Sequence, residues 1–149
     1  MRQEHPEILG HPYTVAGFSV GEISALVAAG VISYDQGLII VKERADAMQQ
    51  WAEQEKMAAV GVFGLEEEDV ERCMRASKRR DDSDGEEEDT PEVYISHYWG
   101  GLGFVCSGLR STVMKLKMLL DSTEGAIVHL LEHTSVAAHT RMAEHISEQ

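Results

Sequence analysis

The segment 17–21, Gly-Phe-Ser-Val-Gly, places one serine midway between two glycines. This G-x-S-x-G spacing is typical of a nucleophile elbow, a tight turn between a strand and a helix that exposes the serine hydroxyl. Free N–H groups at the start of the helix can then stabilise a developing oxyanion. We expect Gly17 and Gly21 to be required, because a side chain at either would collide with the crossing strand and helix. The pattern therefore predicts nucleophilic attack by Ser19.

Two secondary-structure elements must hold such a serine, one on each side of it. Tyr13 and Val15 predict the end of a strand before the turn. The apolar residues between 23 and 29 predict a helix after the turn, and Gly30 is a suitable residue to end it. The chain before this strand is polar and irregular and contains no recognisable signal or transit peptide. A serine-elbow fold normally has earlier strands beneath its nucleophile, whereas here the elbow follows almost at once, so we expect the segment to come from inside a larger protein.

A second helix is predicted to begin at a capping box, with Ser33 as the N-cap and Gln36 at position N3. Its predicted apolar stripe, at helical spacing, consists of Leu38, Val41, Ala45 and Met48. Arg44 lies beside this stripe, which predicts a half-buried guanidinium that needs an anionic partner. The residues alone leave two partners open, a carboxylate of the protein and the carboxylate of a ligand.

The remaining chain predicts a small α/β unit. Strands are predicted at 57–63, 93–98, 102–107 and 126–131, and helices at 65–77 and from a cap at Ser111 to near Gly125. The order β-α-β-β-α-β, across roughly residues 57–131, is the ferredoxin-like arrangement. The tail 135–149 is helical in character.

The chain has a strongly negative net charge, and much of it is concentrated in one segment. The net charge is −13, and eight of the acidic residues lie between 81 and 92, which predicts a solvated loop over 78–92. The acidic balance argues against nucleic-acid binding, which needs a basic surface. No apolar run approaches the roughly 20 residues of a membrane span. Cys73 and Cys106 have no metal-ligand or redox spacing, and we expect buried thiols in a reducing compartment.

Several segments in the same order resemble the malonyl-CoA:acyl carrier protein transacylases. These segments are 17–30 around the serine, 41–49 around Arg44, the hairpin 93–98 with 104–108, and 135–142 around His139. Phe18, directly before the serine, is similar to the mitochondrial-type members. The resemblance covers nearly the whole chain from about Tyr13, and it implies a partial chain without the N- and C-terminal parts of the family.

The resemblance implies a role for each residue of the motif. Ser19 would attack the thioester of malonyl-CoA, and His139 would be the general base that activates it. The backbone N–H of Val20 would donate to the oxyanion, and Arg44 would bind the free malonyl carboxylate. The phosphopantetheine thiol of an acyl carrier protein would then accept the malonyl group, in fatty acid biosynthesis. No metal and no cofactor are implied.

The resemblance also implies a fold and a setting. The fold would be α/β, a partial hydrolase-like α/β subdomain with an inserted ferredoxin-like subdomain. The large subdomain would comprise 1–56 and a truncated return at 132–149, with the small subdomain at 57–131. We expect a monomer in the mitochondrial matrix, with the cytoplasm as the alternative. The basic residues available to dock an acidic carrier protein are Arg72, Arg75, Lys78, Arg79, Arg80, Lys115 and Lys117.

Three other interpretations stay open. The chain could be a catalytically impaired fragment of such an enzyme, or a serine hydrolase or thioesterase of the α/β class. The segment 129–133, His-Leu-Leu-Glu-His, also has the H-x-x-E-H form of one class of zinc protease. That motif needs a helix so that both histidines share a face, whereas the preceding residues predict a strand, which favours a chance match.

Overall fold

The computed structural model describes residues 14–78, 93–131 and 136–144. The chain divides between Asp46 and Ala47 into two compact units. Apart from Lys78, the predicted acidic loop lies outside the described residues, as do Tyr13 and residues 135 and 145–149 of the predicted helical tail. In the described part of the chain, no helix combines the length and the apolar character needed to span a membrane.

The first unit is built on two helices, α1 at Val20–Ala28 and the start of α2 at Tyr34–Gln54. The capping box that precedes α2 is confirmed. The Ser33 N–H donates to Gln36 Oε1 at 2.9 Å, and the Gln36 N–H donates to Ser33 Oγ at 3.1 Å. Two N–H groups that the helix geometry would leave without a partner are thus satisfied.

The strand predicted before Ser19 is wrong for the residues that the structure describes. Residues 14–18 adopt no regular structure. A strand is stable only when a neighbouring strand accepts and donates its backbone hydrogen bonds. The described residues of the first unit contain no second strand to provide them.

The face that α2 turns toward α1 is set by a glycine and differs from the predicted stripe. Gly37 is buried, and a Cβ there would lie 2.6 Å from Val27 Cγ2 of α1. The helical neighbours of Gly37 on that face are Val41 and Arg44, which are both half-buried. Leu38, one position further round, is 51% exposed, so the predicted stripe is wrong there and at Ala45, which is also exposed.

The turn that joins this unit's coil to α1 has an unusual backbone conformation. Ser19 has φ 57° and ψ −122°, and it is the non-glycine residue with positive φ in the described part of the chain. The Gly21 N–H donates to the Phe18 carbonyl at 2.9 Å, and the Glu22 N–H donates to the Ser19 carbonyl at 3.1 Å. A conformation of this kind costs about 1–3 kcal/mol and needs support from its surroundings.

Gly17 provides part of that support by allowing two backbone segments to touch. A Cβ at Gly17 would lie 1.9 Å from the Gly21 carbonyl oxygen, so no side chain fits. The prediction for Gly17 is therefore confirmed. The prediction for Gly21 is wrong among the described residues, because a Cβ there would meet no atom within 4 Å. The Gly21 carbonyl faces Gly17, whereas the Cβ position of Gly21 faces open space.

The second unit contains a four-stranded sheet and two helices in the order that the sequence predicts. The strands are β1 at Met57–Phe63, β2 at Val93–Tyr98, β3 at Gly103–Leu109 and β4 at Ile127–Leu130, with α3 at Glu67–Ser77 after β1 and α4 at Arg110–Asp121 after β3. The sheet order is β2-β3-β1-β4, and all neighbouring strands are antiparallel.

Both faces of β1 are buried, by different parts of the chain. On one face, Val60 and Val62 belong to a core that includes Phe104 of β3, Val70 of α3 and Leu116 of α4. On the other face, Met57 forms a second cluster with Val136 and Ala137, packed against Trp51 and Met142. The tail contains a 3₁₀ helix at Arg141–Ala143. Residues 136–140 form a turn instead, so the predicted helix is wrong there, because this stretch packs against β1 through Val136 and Ala137.

The start of α4 differs from the predicted serine cap. The helix begins at Arg110, so Ser111 lies inside its first turn, and no side chain caps it. The Arg110 N–H instead donates to the Lys56 carbonyl at 2.7 Å. The backbone entering β1 thus provides the acceptor that a cap would otherwise supply.

Because Ser19 has positive φ, glycine should be more stable than alanine at this position, the reverse of the usual order in a helix. Ser19→Ala and Ser19→Gly both remove the hydroxyl, but only glycine adopts positive φ without a steric penalty. We expect Ser19→Gly to have a free energy of unfolding about 1 kcal/mol higher than Ser19→Ala, measured by urea denaturation. At Ser24, inside α1, the order should reverse, with glycine lower than alanine by about 0.5–1 kcal/mol. The same order at both sites would contradict the assigned backbone strain.

The packing of α4 on the sheet predicts that two alanine substitutions on this helix will differ in their effect on the free energy of unfolding. Leu116 is fully buried, whereas Met118 of the same helix is 70% exposed. Leu116→Ala should lower the free energy of unfolding by about 2–5 kcal/mol, because it leaves a cavity against the sheet. Met118→Ala should change it by less than about 0.5 kcal/mol. Equal effects of the two substitutions on urea denaturation would contradict this packing.

Candidate functional site

In the first unit, the structure brings together two residues that the sequence singles out 25 positions apart. Arg44 Nη2 donates a hydrogen bond to Ser19 Oγ at 3.0 Å, and both residues are half-buried. Ser19 occupies the N-cap position of α1, where a serine hydroxyl usually accepts from a backbone N–H of the helix. Its hydroxyl makes no such bond. The Ser19 side chain is therefore turned toward the guanidinium rather than used to cap its own helix.

Arg44 reaches Ser19 because of how α1 and α2 pack. The close contact of Gly37 with Val27 brings the first turns of α2 against α1. Arg44 lies two helical turns after Gly37 on the same face, which directs the guanidinium toward the start of α1. A role for Gly37 was not predicted from the sequence. Its importance is steric: a side chain at Gly37 would collide with Val27, and this becomes visible only once the two helices are packed together.

Val20 is the first residue of α1, directly after the serine. The first N–H groups of a helix have no acceptor within the helix, and the helix dipole makes this end partly positive. The Val20 side chain is 46% exposed. The local structure is thus compatible with the predicted oxyanion donor, although its role remains a prediction.

His139 belongs to the second unit and lies on a turn that is anchored on both sides. Before it, Val136 and Ala137 are buried, and the Ala137 N–H lies 3.4 Å from Met57 Sδ. After it, the Thr140 hydroxyl donates to the Ala137 carbonyl at 2.6 Å and accepts from the Met142 N–H at 3.2 Å. The turn therefore presents an exposed imidazole from a fixed backbone.

A second histidine, which the sequence did not indicate as a site residue, contacts His139. The ring centroids of His97 and His139 are 4.9 Å apart, and their planes are inclined by 73° in an edge-to-face arrangement. His97 lies on β2 and is half-buried. The pKa of His97 is lowered, chiefly by burial and further by electrostatic interaction with the neighbouring His139. His97 is therefore neutral at neutral pH.

The zinc-protease interpretation finds no support in the described residues. His129 lies on strand β4 and pairs with Gly61, whereas the motif requires a helix. Glu132 and His133 lie outside the described residues. Within the described ranges, no three histidine, cysteine, aspartate or glutamate side chains form a group that could hold a metal ion.

Curated relatives match part of the chain. A mitochondrial malonyl-CoA-acyl carrier protein transacylase from Mus musculus is 36% identical over 74 residues, which is 49% of this chain and 19% of the relative. A probable one from Drosophila melanogaster is 38% identical over 79 residues, 52% of this chain and 21% of the relative. The alignments thus span about a fifth of these relatives' lengths. No family model matches the chain.

Solved structures match nearly the whole chain in fold. The malonyl CoA-acyl carrier protein transacylase from Clostridium perfringens has a TM-score of 0.72 at 24% identity, over 95% of this chain and 42% of that one. A malonyl-transacylase in complex with its type II polyketide synthase acyl-carrier protein has a TM-score of 0.72 at 21% identity, over 98% of this chain and 44% of that one. By sequence and by fold, the chain is therefore similar to malonyl-CoA-acyl carrier protein transacylases, those of the mitochondrial type included, and it spans part of their length.

Proposed function

We propose that the chain carries the malonyl-transfer site of an acyltransferase, an acyl-carrier-protein S-malonyltransferase. In this reaction a malonyl group passes from malonyl-CoA to the phosphopantetheine thiol of an acyl carrier protein, through an ester on Ser19. The observation that carries the proposal is the 3.0 Å hydrogen bond between Arg44 and the hydroxyl of the strained Ser19 turn. The similarity to malonyl-CoA-acyl carrier protein transacylases supports the same reaction.

In the first half-reaction, Ser19 is the nucleophile. Its oxygen forms a bond to the thioester carbonyl carbon while His139 takes the hydroxyl proton. The carbonyl oxygen becomes an oxyanion, and the Val20 N–H at the start of α1 is its proposed donor. When the carbon–sulfur bond breaks, the thiolate of coenzyme A takes the proton from His139. The product is malonyl-Ser19 and free coenzyme A.

Arg44 provides the selection for a malonyl group. In a malonyl ester on Ser19, one methylene group separates the ester carbonyl from a free carboxylate. The guanidinium already contacts Ser19 Oγ, so a small side-chain movement suffices to bind that carboxylate through two hydrogen bonds. An acetyl group has no carboxylate and would leave the half-buried cation unpaired. Of the two partners that the sequence left open for Arg44, we thus propose the ligand.

The second half-reaction delivers the malonyl group to the carrier protein. The phosphopantetheine thiol gives its proton to His139 and attacks the ester carbonyl, and Ser19 regains the proton as it leaves. A similar structure holds an acyl-carrier protein bound to its malonyl-transacylase, which supports such a partner for this chain. No metal or cofactor enters either step, and the proposed pathway is fatty acid biosynthesis.

We further propose the finer architecture that the resemblance implies. The Ser19 turn would be a nucleophile elbow, and the first unit would be part of a hydrolase-like α/β subdomain. The sheet order β2-β3-β1-β4 with two helices on one face supports a ferredoxin-like subdomain over 57–131. Relatives named as mitochondrial support a mitochondrial location, and we propose the matrix and a monomeric state.

Incubation with malonyl-CoA followed by peptide mass spectrometry tests the first half-reaction. We expect a malonyl group on the peptide that contains Ser19, and none in Ser19→Ala. Arg44→Ala should slow malonylation about 10- to 100-fold, because a charge-assisted interaction of roughly 1.5–3 kcal/mol is lost. The rate with acetyl-CoA should not fall, because an acetyl group has no carboxylate to lose the interaction and no longer leaves a cation unpaired. The control is Lys42→Ala on the same helix, whose ammonium is exposed and paired with Asp46.

Two results would favour the other interpretations instead. A folded wild-type chain that acquires no malonyl group would support an impaired fragment. A malonyl-Ser19 ester that water cleaves as fast as pantetheine does would support a serine hydrolase or thioesterase.

The carrier-protein surface is tested at Lys115. Among the predicted basic residues that the structure describes, Arg72, Arg75 and Lys117 form ion pairs within their own helices, whereas Lys115 on α4 is exposed. Lys115→Glu should weaken binding of an acidic carrier protein about two- to fivefold at low ionic strength, since an exposed ion pair contributes up to about 1 kcal/mol. Salt should reduce this difference. An unchanged affinity in a titration would exclude Lys115 from the surface; Lys42→Glu serves as the charge-matched control.

A further inference from the structure

The contact between His97 and His139 starts from an irregularity in the sheet. Ile95 pairs with Cys106, and His97 pairs with Val105, so β2 contains one extra residue, Ser96, opposite β3. A β-bulge of this kind re-aims the side chains that follow it, and bulges are common beside active sites. His97 is the first residue after the bulge.

Ser96 holds the His97 ring through a short chain of hydrogen bonds. Its Oγ lies 2.9 Å from His97 Nδ1, 2.8 Å from Ser107 Oγ and 3.1 Å from the Val105 carbonyl oxygen. Carbonyl oxygen can only accept, so the single Ser96 hydroxyl proton is donated to Val105. The Ser96 oxygen then accepts from Ser107 and from His97 Nδ1–H. This assigns the proton of neutral His97 to Nδ1.

The β3 side of this network is buried, whereas Ser96 and His97 are half-buried. Val105 and Ser107 are 2% and 1% exposed, and Ala59 of the neighbouring strand β1 is fully buried. Hydrogen bonds to buried groups of a paired strand restrict the orientation of a ring. His97 is thus a fixed neutral ring, whereas its neighbour His139 is exposed and lies on a turn.

We propose that His97, held by Ser96 at the bulge of β2, is a positioning residue that fixes the orientation of the His139 imidazole through their edge-to-face contact. The inference rests on the proposed function, in which His139 moves the proton of Ser19. Edge-to-face ring pairs contribute beyond simple burial, and they favour one relative orientation. Loss of this contact would remove one restraint on the rotamer of the His139 ring, and a small change of rotamer would misplace its nitrogen for proton transfer.

The positioning role predicts a selective loss of rate. His97→Ala should lower the first-order rate of malonyl-Ser19 formation about 10- to 100-fold, since misplacement of a catalytic group by about 1 Å can cost 10²-fold. The KM for malonyl-CoA should stay within about twofold of wild type, because His97 does not bind substrate in this proposal. His97→Phe keeps a ring beside His139 and should restore most of the lost rate. His129→Ala, an exposed histidine on β4, is the matched control.

A second readout does not depend on turnover. The ring signals of His139, assigned by comparison with His139→Gln, can be followed by NMR in the 149-residue chain. His97→Ala should shift these signals, because the ring current of His97 is removed, and Ser96→Ala should shift them less. His129→Ala should leave them unchanged.

The outcomes separate this inference from the proposed function. Absence of malonyl-Ser19 in the wild-type chain would overturn the function, and the NMR comparison would still decide whether His97 orients His139. Unchanged His139 signals in a folded His97→Ala variant would overturn the inference, as would a wild-type rate of malonylation in that variant. A rise in KM at constant maximal rate would also overturn it, since that result indicates substrate binding.

Discussion

The contact between the backbone of Gly17 and the carbonyl of Gly21 is the constraint on which the candidate site depends. It closes the turn so tightly that Ser19 is held at positive φ, a conformation that serine does not adopt without support. The same turn starts α1, so its N–H groups and the serine hydroxyl are placed together. A second close contact, at Gly37, then brings Arg44 to that hydroxyl. Two glycines, Gly17 and Gly37, thus determine where the two residues of the proposed chemistry in this unit, Ser19 and Arg44, are placed.

In the second unit, the backbone around His139 is held in place by a different kind of interaction. His139 is on a turn, but buried alanine and valine neighbours and the Thr140 hydroxyl fix the backbone on either side. The ring itself is exposed and packs against His97. The turn is therefore held by apolar burial and hydrogen bonds, and no strained backbone conformation is involved among the described residues 136–144. Because Val136 and Ala137 pack against Met57 of β1, the stability of the turn depends on the sheet.

The sequence predicts most of the second unit and less of the first. The strand Met57–Phe63 and the order of elements around it were predictable because a buried apolar run between turn residues has few alternatives. The capping box at Ser33 was predictable because both partners are local. The strand before Ser19, the cap at Ser111 and the stripe through Leu38 were wrong. Each depends on what a distant segment supplies, such as the Lys56 carbonyl that replaces the cap. The contact between His97 and His139 was missed for the same reason, since it depends on the bulge at Ser96.

The bulge has a further consequence for the edge of the sheet. β2 and β4 are the outer strands of the four, and each leaves one row of backbone groups without a neighbouring strand in the described sheet. Such an edge is a template for another chain, and proteins often interrupt it to avoid aggregation. At Ser96 the regular spacing of β2 is broken, and β4 is only four residues long. The irregularity next to His97 thus also makes this edge a poor partner for strand addition by a neighbouring molecule.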